Sequence, residues 1–238
     1  MPDRVLLGVF AHPDDETSCS AALMKRYAAE GVDIHVITAT RGEMGALGTS
    51  GVVIAREDLP AVREAEQRSV LQYLGVPNPP IYLDYRDQEV GDADREEIVL
   101  KVLAVMQRVK PDVVLAFGPT GLSNQVDHIA MHHAAVEAFD RYRASSDKEP
   151  TLYFWALPQH VVDIFELGID GVEVQPHVIM DVAETWYAKI QSLRMYASQQ
   201  DAQDIAATME DFPEKYEIFH QVYPALPDGT IFHDLFHD

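Results

Sequence analysis

Apolar runs alternate with amphipathic stretches along most of the chain, a pattern typical of parallel strands covered by helices. The apolar runs predict buried strands at 5–10, 33–40, 80–85, 112–117, 152–157 and 177–182. The amphipathic stretches predict helices at 16–30, 60–74, 93–109, 127–143 and 183–199. We therefore expect an α/β fold with a Rossmann-like, mainly parallel sheet flanked by helices.

The domain organisation follows from the absence of repeats, low-complexity tracts and clear linkers in the sequence. The sharpest change of composition, "RASSDKEP" at 143–150, is interpreted as a connection between a helix and a strand. We predict a single domain over residues 1–238, with a less regular C-terminal portion from about residue 157.

Composition and charge narrow the class of protein. The chain has 238 residues, of which 47% are hydrophobic, and no apolar run approaches the length of a membrane span. The N-terminus lacks the basic and small-residue features of a signal peptide, and the single cysteine, Cys19, suits a reducing compartment. We expect a cytoplasmic protein. A net charge of −21 argues against nucleic acid or a membrane surface as a partner.

Two loops carry histidine and acidic residues after predicted buried strands, where such side chains are uncommon. The sequence "HPDDE", residues 12–16, follows the first predicted strand, and "QVDH", residues 125–128, follows the fourth. Strands one and four are neighbours at the switch point of the commonest doubly wound order. Because ligands bind where loops leave the carboxyl ends of strands, we expect these two loops to face each other.

The residue types in these loops indicate a metal. His12 and Asp15 are three residues apart at a loop-to-helix junction, and His128 would complete a set of two nitrogens and one oxygen. That set, with one position left for water, is typical of catalytic zinc, although ferrous iron or cobalt would also suit it. Asp14 is placed to act as a general base. Taken singly, each of these residues would more often cap a helix or pack in the core; only the two loops together favour the metal.

The motifs "AHPDDE" at 11–16 and "VDHIAMHHA" at 126–134 resemble the PIG-L/LmbE-like family of zinc-dependent N-deacetylases. Weaker likenesses extend through most of the chain. The resemblance implies that a zinc ion is bound and that Asp14 is the base. It implies these zinc ligands: His12, Asp15 and His128. It also implies that Arg63 and Asp87 contact the substrate, and that Asp127 orients a neighbouring side chain.

The sequence departs from the family pattern at two positions. The second family motif usually reads His-x-Asp-His, but here Gln125 stands in the first place. The family histidine is expected to stabilise an oxyanion; Gln125 can donate a neutral hydrogen bond but cannot carry a proton charge. Tyr196 stands where the family often has histidine. His132 is expected to support the site or to pack. Three histidines near the C-terminus are not spaced in a pattern that indicates a common ligand: His220, His233 and His237.

The resemblance implies a hydrolase that removes an acetyl group from an N-acetylated amino sugar of N-acetylglucosaminyl type. Two alternatives stay open: an amidase of a larger thiol-sugar conjugate of mycothiol or bacillithiol type, and a binding protein weakened by Gln125. Substrate choice is expected to lie in the loops at 45–58 and 157–175. The partner is then a small amino-sugar substrate, and the family often forms trimers or hexamers.

Overall fold

The computed structural model describes residues 4–237 and contains one seven-stranded sheet flanked by helices. The strands are β1 Val5–Phe10, β2 Asp33–Thr38, β3 Ile81–Tyr82, β4 Val113–Ala116, β5 Thr151–Ala156, β6 Val178–Asp181 and β7 Tyr216–Tyr223. Their order is β3-β2-β1-β4-β5-β7-β6. The first five are parallel, and β7 runs antiparallel to both β5 and β6. The predicted single-domain fold class is confirmed.

Helices flank the sheet. They are α1 Asp15–Ala29, α2 Leu59–Leu74, α3 Arg95–Val109, α4 Val126–Ser145, α5 Gln159–Ile164, α6 Trp186–Met195 and α7 Gln200–Glu210. Helix α6 packs against α1, α2 and α7, whereas α3 packs against α4. Within residues 4–237, none of the helices combines the length and the apolar character that crossing a bilayer requires.

Strand β1 is buried along its whole length because it lies in the middle of the sheet and is covered by helices. It pairs with β2 on one side and β4 on the other, and Gly8 lies opposite Leu115 of β4. The loops that leave β1 and β4 therefore emerge side by side. This confirms the predicted adjacency of the two motif-bearing loops.

Several predicted elements are shorter than the sequence pattern indicated. The third strand is limited to Ile81–Tyr82 because Asp84 adopts a left-handed backbone with φ 62°, although the amide of Tyr85 still donates to the carbonyl of Ala39. The second strand ends at Thr38 rather than at residue 40. The helix predicted at 183–199 covers only Trp186–Met195, and the chain then turns into α7.

The C-terminal portion contains regular elements that the sequence pattern did not predict. From residue 157 to β6 the structure holds only the short α5 and a 3₁₀ turn at Gly171–Val174. Between β6 and Tyr223 the chain forms longer regular elements. Helix α7 follows α6, and β7 inserts between β5 and β6.

Candidate active site

The first loop folds back on itself at the end of β1. The carboxylate of Asp15, the first residue of α1, accepts the backbone N–H groups of Ala11 at 3.1 Å and His12 at 2.7 Å. Asp14 makes the turn with a left-handed backbone, φ 99°, which is uncommon for a residue with a side chain. These contacts place the His12 ring and the Asp15 carboxylate next to each other.

The second loop fixes the orientation of His128. Its Nδ1 lies 2.8 Å from the carbonyl oxygen of Gly121, and its ring stacks on Phe117 with centroids 4.2 Å apart. A carbonyl can only accept, so Nδ1 carries the proton and Nε2 presents a lone pair. That lone pair faces the first loop.

The three predicted ligands converge in the structure. His12 Nδ1 and His128 Nε2 are 3.2 Å apart. The oxygens of Asp15 lie 3.7 Å from the first nitrogen and 3.4 Å from the second. Donor atoms around one tetrahedral cation lie about 3.3–3.6 Å from each other when each bond is about 2.0–2.2 Å. All three side chains are buried, and they form a group that could hold a metal ion.

A second group of carboxylates lies on the other side of the His12 ring. Its Nε2 is 3.2 Å from an oxygen of Asp87 and 3.2 Å from an oxygen of Asp127. Burial lowers the pKa of His12, but the hydrogen bonds to these two carboxylates outweigh it and raise the pKa to about 10. An Nε2–H that donates to a carboxylate leaves Nδ1 free to bind a metal, once His12 is neutral.

Asp127 and Asp87 are both held by backbone amides as well. Asp127 accepts the N–H groups of Gln88 at 2.7 Å and Val90 at 3.1 Å. Asp87 accepts the N–H of Met44 at 2.8 Å and also lines the cavity described below. Asp127 thus joins the loop before α3 to the His12 ring. Its surroundings fit the orienting role that the family resemblance implied.

Arg63 of α2 reaches the first loop from the opposite side. Its guanidinium donates to a carboxylate oxygen of Asp14 at 2.7 Å, to the carbonyl of Gly42 at 3.0 Å and to the carbonyl of Pro13. Gly42 has φ 64°, and a Cβ there would overlap the guanidinium, so the close approach requires glycine. Arg63 is buried and does not form the surface ion pair with Glu64 that a helix position would also allow.

The contact with Arg63 leaves Asp14 facing the cavity as a carboxylate that is not among the three converging ligands. Burial raises the pKa of Asp14 well above its usual range, although the charge of Arg63 opposes that shift. A carboxylate whose pKa is raised is a stronger base than an ordinary aspartate is.

Beneath the first loop, Glu16 is completely buried and fully hydrogen-bonded. It accepts from the hydroxyl of Tyr196, from Gln67 at 2.9 Å and from Thr17 at 2.8 Å. It also accepts the backbone N–H of Asp14 at 3.2 Å. Tyr196, which stands where the family often has histidine, therefore supports the turn that carries Asp14.

Gln125 precedes α4 and lines the cavity with an exposed side chain. Within residues 4–237 no hydrogen bond to another side chain or to the backbone holds its amide. The amide is therefore free to donate to a bound molecule.

Glu173 is a supporting residue that the sequence pattern did not indicate. Its buried carboxylate accepts the N–H groups of Thr120 at 3.0 Å and Leu122 at 3.1 Å, and the hydroxyl of Thr120 at 2.7 Å. Those bonds hold the loop whose Gly121 carbonyl orients His128. No local signal marks Glu173, because its partners lie more than fifty residues away.

The remaining histidines lie apart from the three converging ligands. His132 Nδ1 is 2.8 Å from the carbonyl of Phe117, so His132 braces the end of β4. His220 and His233 contact backbone carbonyls of Gln175 and Ile179, and His237 contacts Tyr153 and Gln221. None of the four lines the cavity.

A cavity of about 450 Å³ opens above the three converging ligands. Its polar floor holds residues of both motif loops, including His12, Asp14 and His128. Both loops expected to govern substrate choice contribute to its wall, the first through Gly45 and Ala46 and the second through segments after β5. The arrangement is that of a hydrolytic site in an α/β protein: a candidate metal centre, a free carboxylate and a substrate-sized cavity.

Comparison with known proteins identifies the family. The family model PIG-L, GlcNAc-PI de-N-acetylase, matches residues 7–139, which include both motif loops. The chain therefore belongs to the PIG-L family, as its motifs indicated.

Two relatives illustrate the range of similarity. A 1D-myo-inositol 2-acetamido-2-deoxy-alpha-D-glucopyranoside deacetylase of Rhodococcus jostii is 36% identical over 58% of this chain and 55% of the relative. A probable N-acetyl-alpha-D-glucosaminyl L-malate deacetylase 2 of Bacillus anthracis is 29% identical over 90% of this chain and 88% of the relative. The chain spans about half the length of the first curated relatives it matches.

Two solved structures show the same fold. The N,N'-diacetylchitobiose deacetylase of Pyrococcus horikoshii aligns with a TM-score of 0.67 and 21% identity, over 92% of this chain and 84% of that one. The 4-carboxy-2-hydroxymuconate hydratase of Pseudomonas putida aligns with a TM-score of 0.68 and 18% identity, over 94% and 98%. Because the fold carries both a deacetylase and a hydratase, function must be argued from the site.

Proposed function

We propose that this chain is a metal-dependent hydrolase that removes the acetyl group from an N-acetylated amino sugar. The observation that carries the proposal is the convergence of His12, Asp15 and His128 beside the free carboxylate of Asp14, on the floor of one cavity. The relatives' names support the same reaction class, since each describes a deacetylase of a glucosaminyl compound.

We further propose that the metal is zinc, held by His12, Asp15 and His128. The donor set supports this assignment, because two imidazoles and one carboxylate with an open position are typical of catalytic zinc, although iron and cobalt accept the same set. A metal bound there would polarise the amide carbonyl and lower the pKa of water. The second group beside His12, with Asp87 and Asp127, would keep the ring in the tautomer that the metal requires.

Four side chains of this chain would carry out proton transfer, positioning, oxyanion stabilisation and substrate contact. Asp14 would accept the proton of the attacking water and pass it to the leaving amine. Arg63 would hold Asp14 in place through its 2.7 Å contact. Gln125, whose amide is free, would donate to the substrate oxygen as negative charge develops there. Asp87, which lines the cavity, would contact a sugar hydroxyl.

The test is release of primary amine and acetate by protein stripped with a chelator and reloaded with Zn²⁺, Fe²⁺ or Co²⁺. The substrates are N-acetylglucosaminyl inositol, N-acetylglucosaminyl malate and simple N-acetylglucosaminides. We expect equal amounts of both products, loss of the activity on chelation and its return with metal. Product release that survives complete metal removal, or none from any substrate with the metal bound, would contradict the proposal.

Gln125 supports a second candidate function, a metal- or sugar-binding protein of low activity, because a neutral amide replaces a histidine. An amidase of a larger thiol-sugar conjugate uses the same chemistry and is distinguished only by adding such conjugates to the panel. Removing one oxyanion donor costs about 10²–10³ in rate. If the enzyme works with glutamine, Gln125→Ala should lower kcat by about that factor.

In the same assay, we expect Gln125→His to give no gain in kcat. A rise of about tenfold or more in kcat for this variant would favour the weakened binding protein instead. Gln107→Ala, on an exposed face of α3, serves as the matched control.

A further inference from the structure

The cavity wall is mainly apolar away from His12, Asp15 and His128. Twelve of the lining residues lie at or beyond Trp155, and ten of them are apolar. They come from the end of β5, from α5 and the segment after it, and from α6 and α7. The larger ones include Leu157, Val161, Phe165, Leu167, Ile205 and Met209.

Only two residues of this wall are polar, Gln199 and Asp201. Gln199 is already bonded in both directions to the backbone of Ala46, at 3.1 Å in each case. Asp201 accepts the backbone N–H of Ala202 and lies at the start of α7. The wall therefore presents mainly hydrocarbon to whatever lies above the catalytic groups.

The charges around the cavity are unfavourable for an anionic substrate. Four aspartates line it: Asp14, Asp15, Asp87 and Asp201. Among the residues of the described chain that line it, Arg63 is the only lysine or arginine, and its guanidinium already binds Asp14 and two carbonyls. Apart from the metal, a carboxylate or phosphate on the substrate would find no free cationic partner.

Polar substituents find few partners along the wall apart from the exposed carboxylate of Asp201. Several hydroxyls, such as those of an inositol ring, would lose hydrogen bonds to water against this surface and regain few. Half-exposed Phe165 and Leu167, in contrast, gain from being covered by an apolar group. A substrate-sized cavity with a polar floor and an apolar wall is suited to a ligand that has one polar part and one apolar part.

Resting on the proposed function, we propose that the natural substrate carries an alkyl or aryl group that packs on this wall, rather than an inositol or malate group. The apolar group is either the aglycone of the acetylated amino sugar or an N-acyl chain in place of acetyl, in which case the same amide hydrolysis releases a longer acid. Both sources present the same chemistry to the wall, and they are separable by experiment.

The first measurement is binding without turnover. Calorimetry on zinc-loaded protein would compare methyl and hexyl β-D-glucosaminide, which already carry a free amine. Each fully buried methylene strengthens binding by about fourfold. Even if the extra methylenes of hexyl are only about half buried, we expect hexyl to bind about thirtyfold more tightly than methyl when the aglycone contacts the wall. The second series compares kcat/KM for N-hexanoyl- and N-acetylglucosamine, where a comparable preference identifies the acyl chain as the source.

A ratio within about threefold in both series would overturn the inference. Because the calorimetric series needs no turnover, a hexyl preference in a protein that releases no amine would contradict the proposed function and leave the inference standing. Amine release by a protein that shows no chain-length preference in either series would support the proposed function and overturn the inference.

Two neighbouring residues on and after α5 provide matched variants. Phe165 lines the cavity, whereas Ile164 beside it is exposed and does not. Phe165→Asn should reduce the preference for the longer chain by about tenfold or more, and Ile164→Asn should leave it unchanged. Equal effects of the two variants would count against the wall as the binding surface.

Discussion

Asp14→Asn should abolish turnover while the protein keeps its metal. General acid–base catalysis contributes about 10²–10⁴ in rate, and an amide cannot accept the proton of the attacking water. We therefore expect kcat for amine release to fall by about 10³ or more. The amide oxygen of asparagine can still accept from Arg63, so the turn should keep its shape.

Metal content decides how the result is interpreted. Elemental analysis of the dialysed variant should give the same metal-to-protein ratio as the parent, because the proposed ligands are His12, Asp15 and His128 and not Asp14. Loss of metal together with activity would make Asp14 a ligand. Full activity with metal retained would assign the base to another group. Asp163→Asn, at an exposed position of α5 that does not line the cavity, removes the same charge and serves as the control.

The part of the fold nearest the site was predictable because its signals are local. Parallel strands with continuous apolar runs, separated by amphipathic helices, specify β1, β2 and β4 with their helices. Sites at the carboxyl ends of such strands then follow from topology. That reasoning correctly brought His12, in the loop after β1, next to His128, in the first turn of α4, although 116 positions separate them.

The C-terminal portion was harder to predict because buried polar residues interrupt its patterns. In β7, Glu217 and Gln221 are buried, so the strand does not alternate polar and apolar residues as a half-exposed strand does. Glu217 accepts from the distant helix α1, whereas Gln221 donates to nearby Pro224 and contacts His237 near the C-terminus. Such satisfaction of buried polar groups is visible only in the folded chain.

The predicted long helix at 183–199 failed for a related reason. After Met195 the side chains bond to the site and its loops rather than extend the helix: Tyr196 to Glu16, Ser198 to Glu66 and Gln199 to Ala46. The residues that interrupt the helix thus connect it to the first motif segment, to α2 and to the loop after β2.

Glu217 closes a break in α1, the helix that begins with Asp15. Ser20 leaves the helical conformation, with φ −152°, so the amides of the following turn lack their usual helical acceptors. Glu217 accepts the N–H of Ala22 at 3.2 Å and that of Leu23 at 2.8 Å. Lys189 of α6 neutralises the carboxylate at 2.7 Å, and both side chains are almost completely buried.

Breaking this pair should therefore be costly. Removing one member of a buried ion pair leaves the other charge without compensation and costs about 3–5 kcal/mol of unfolding free energy. We expect Glu217→Gln and Lys189→Met each to lower the free energy of unfolding by that amount, measured by urea denaturation. In Glu217→Gln the side-chain oxygen can still accept from α1, so the loss reports mainly the stranded lysine.

The double variant separates charge from shape. With Lys189→Met and Glu217→Gln together, no charge is stranded and one acceptor for the helix amides is kept, so we expect most of the stability lost in either single variant to return. The exposed pair Arg194–Glu210 supplies the control, since Arg194→Met should cost no more than about 1 kcal/mol. Losses below about 1 kcal/mol in both buried single variants would show that water reaches the pair, and the closure of α1 would then rest on other contacts.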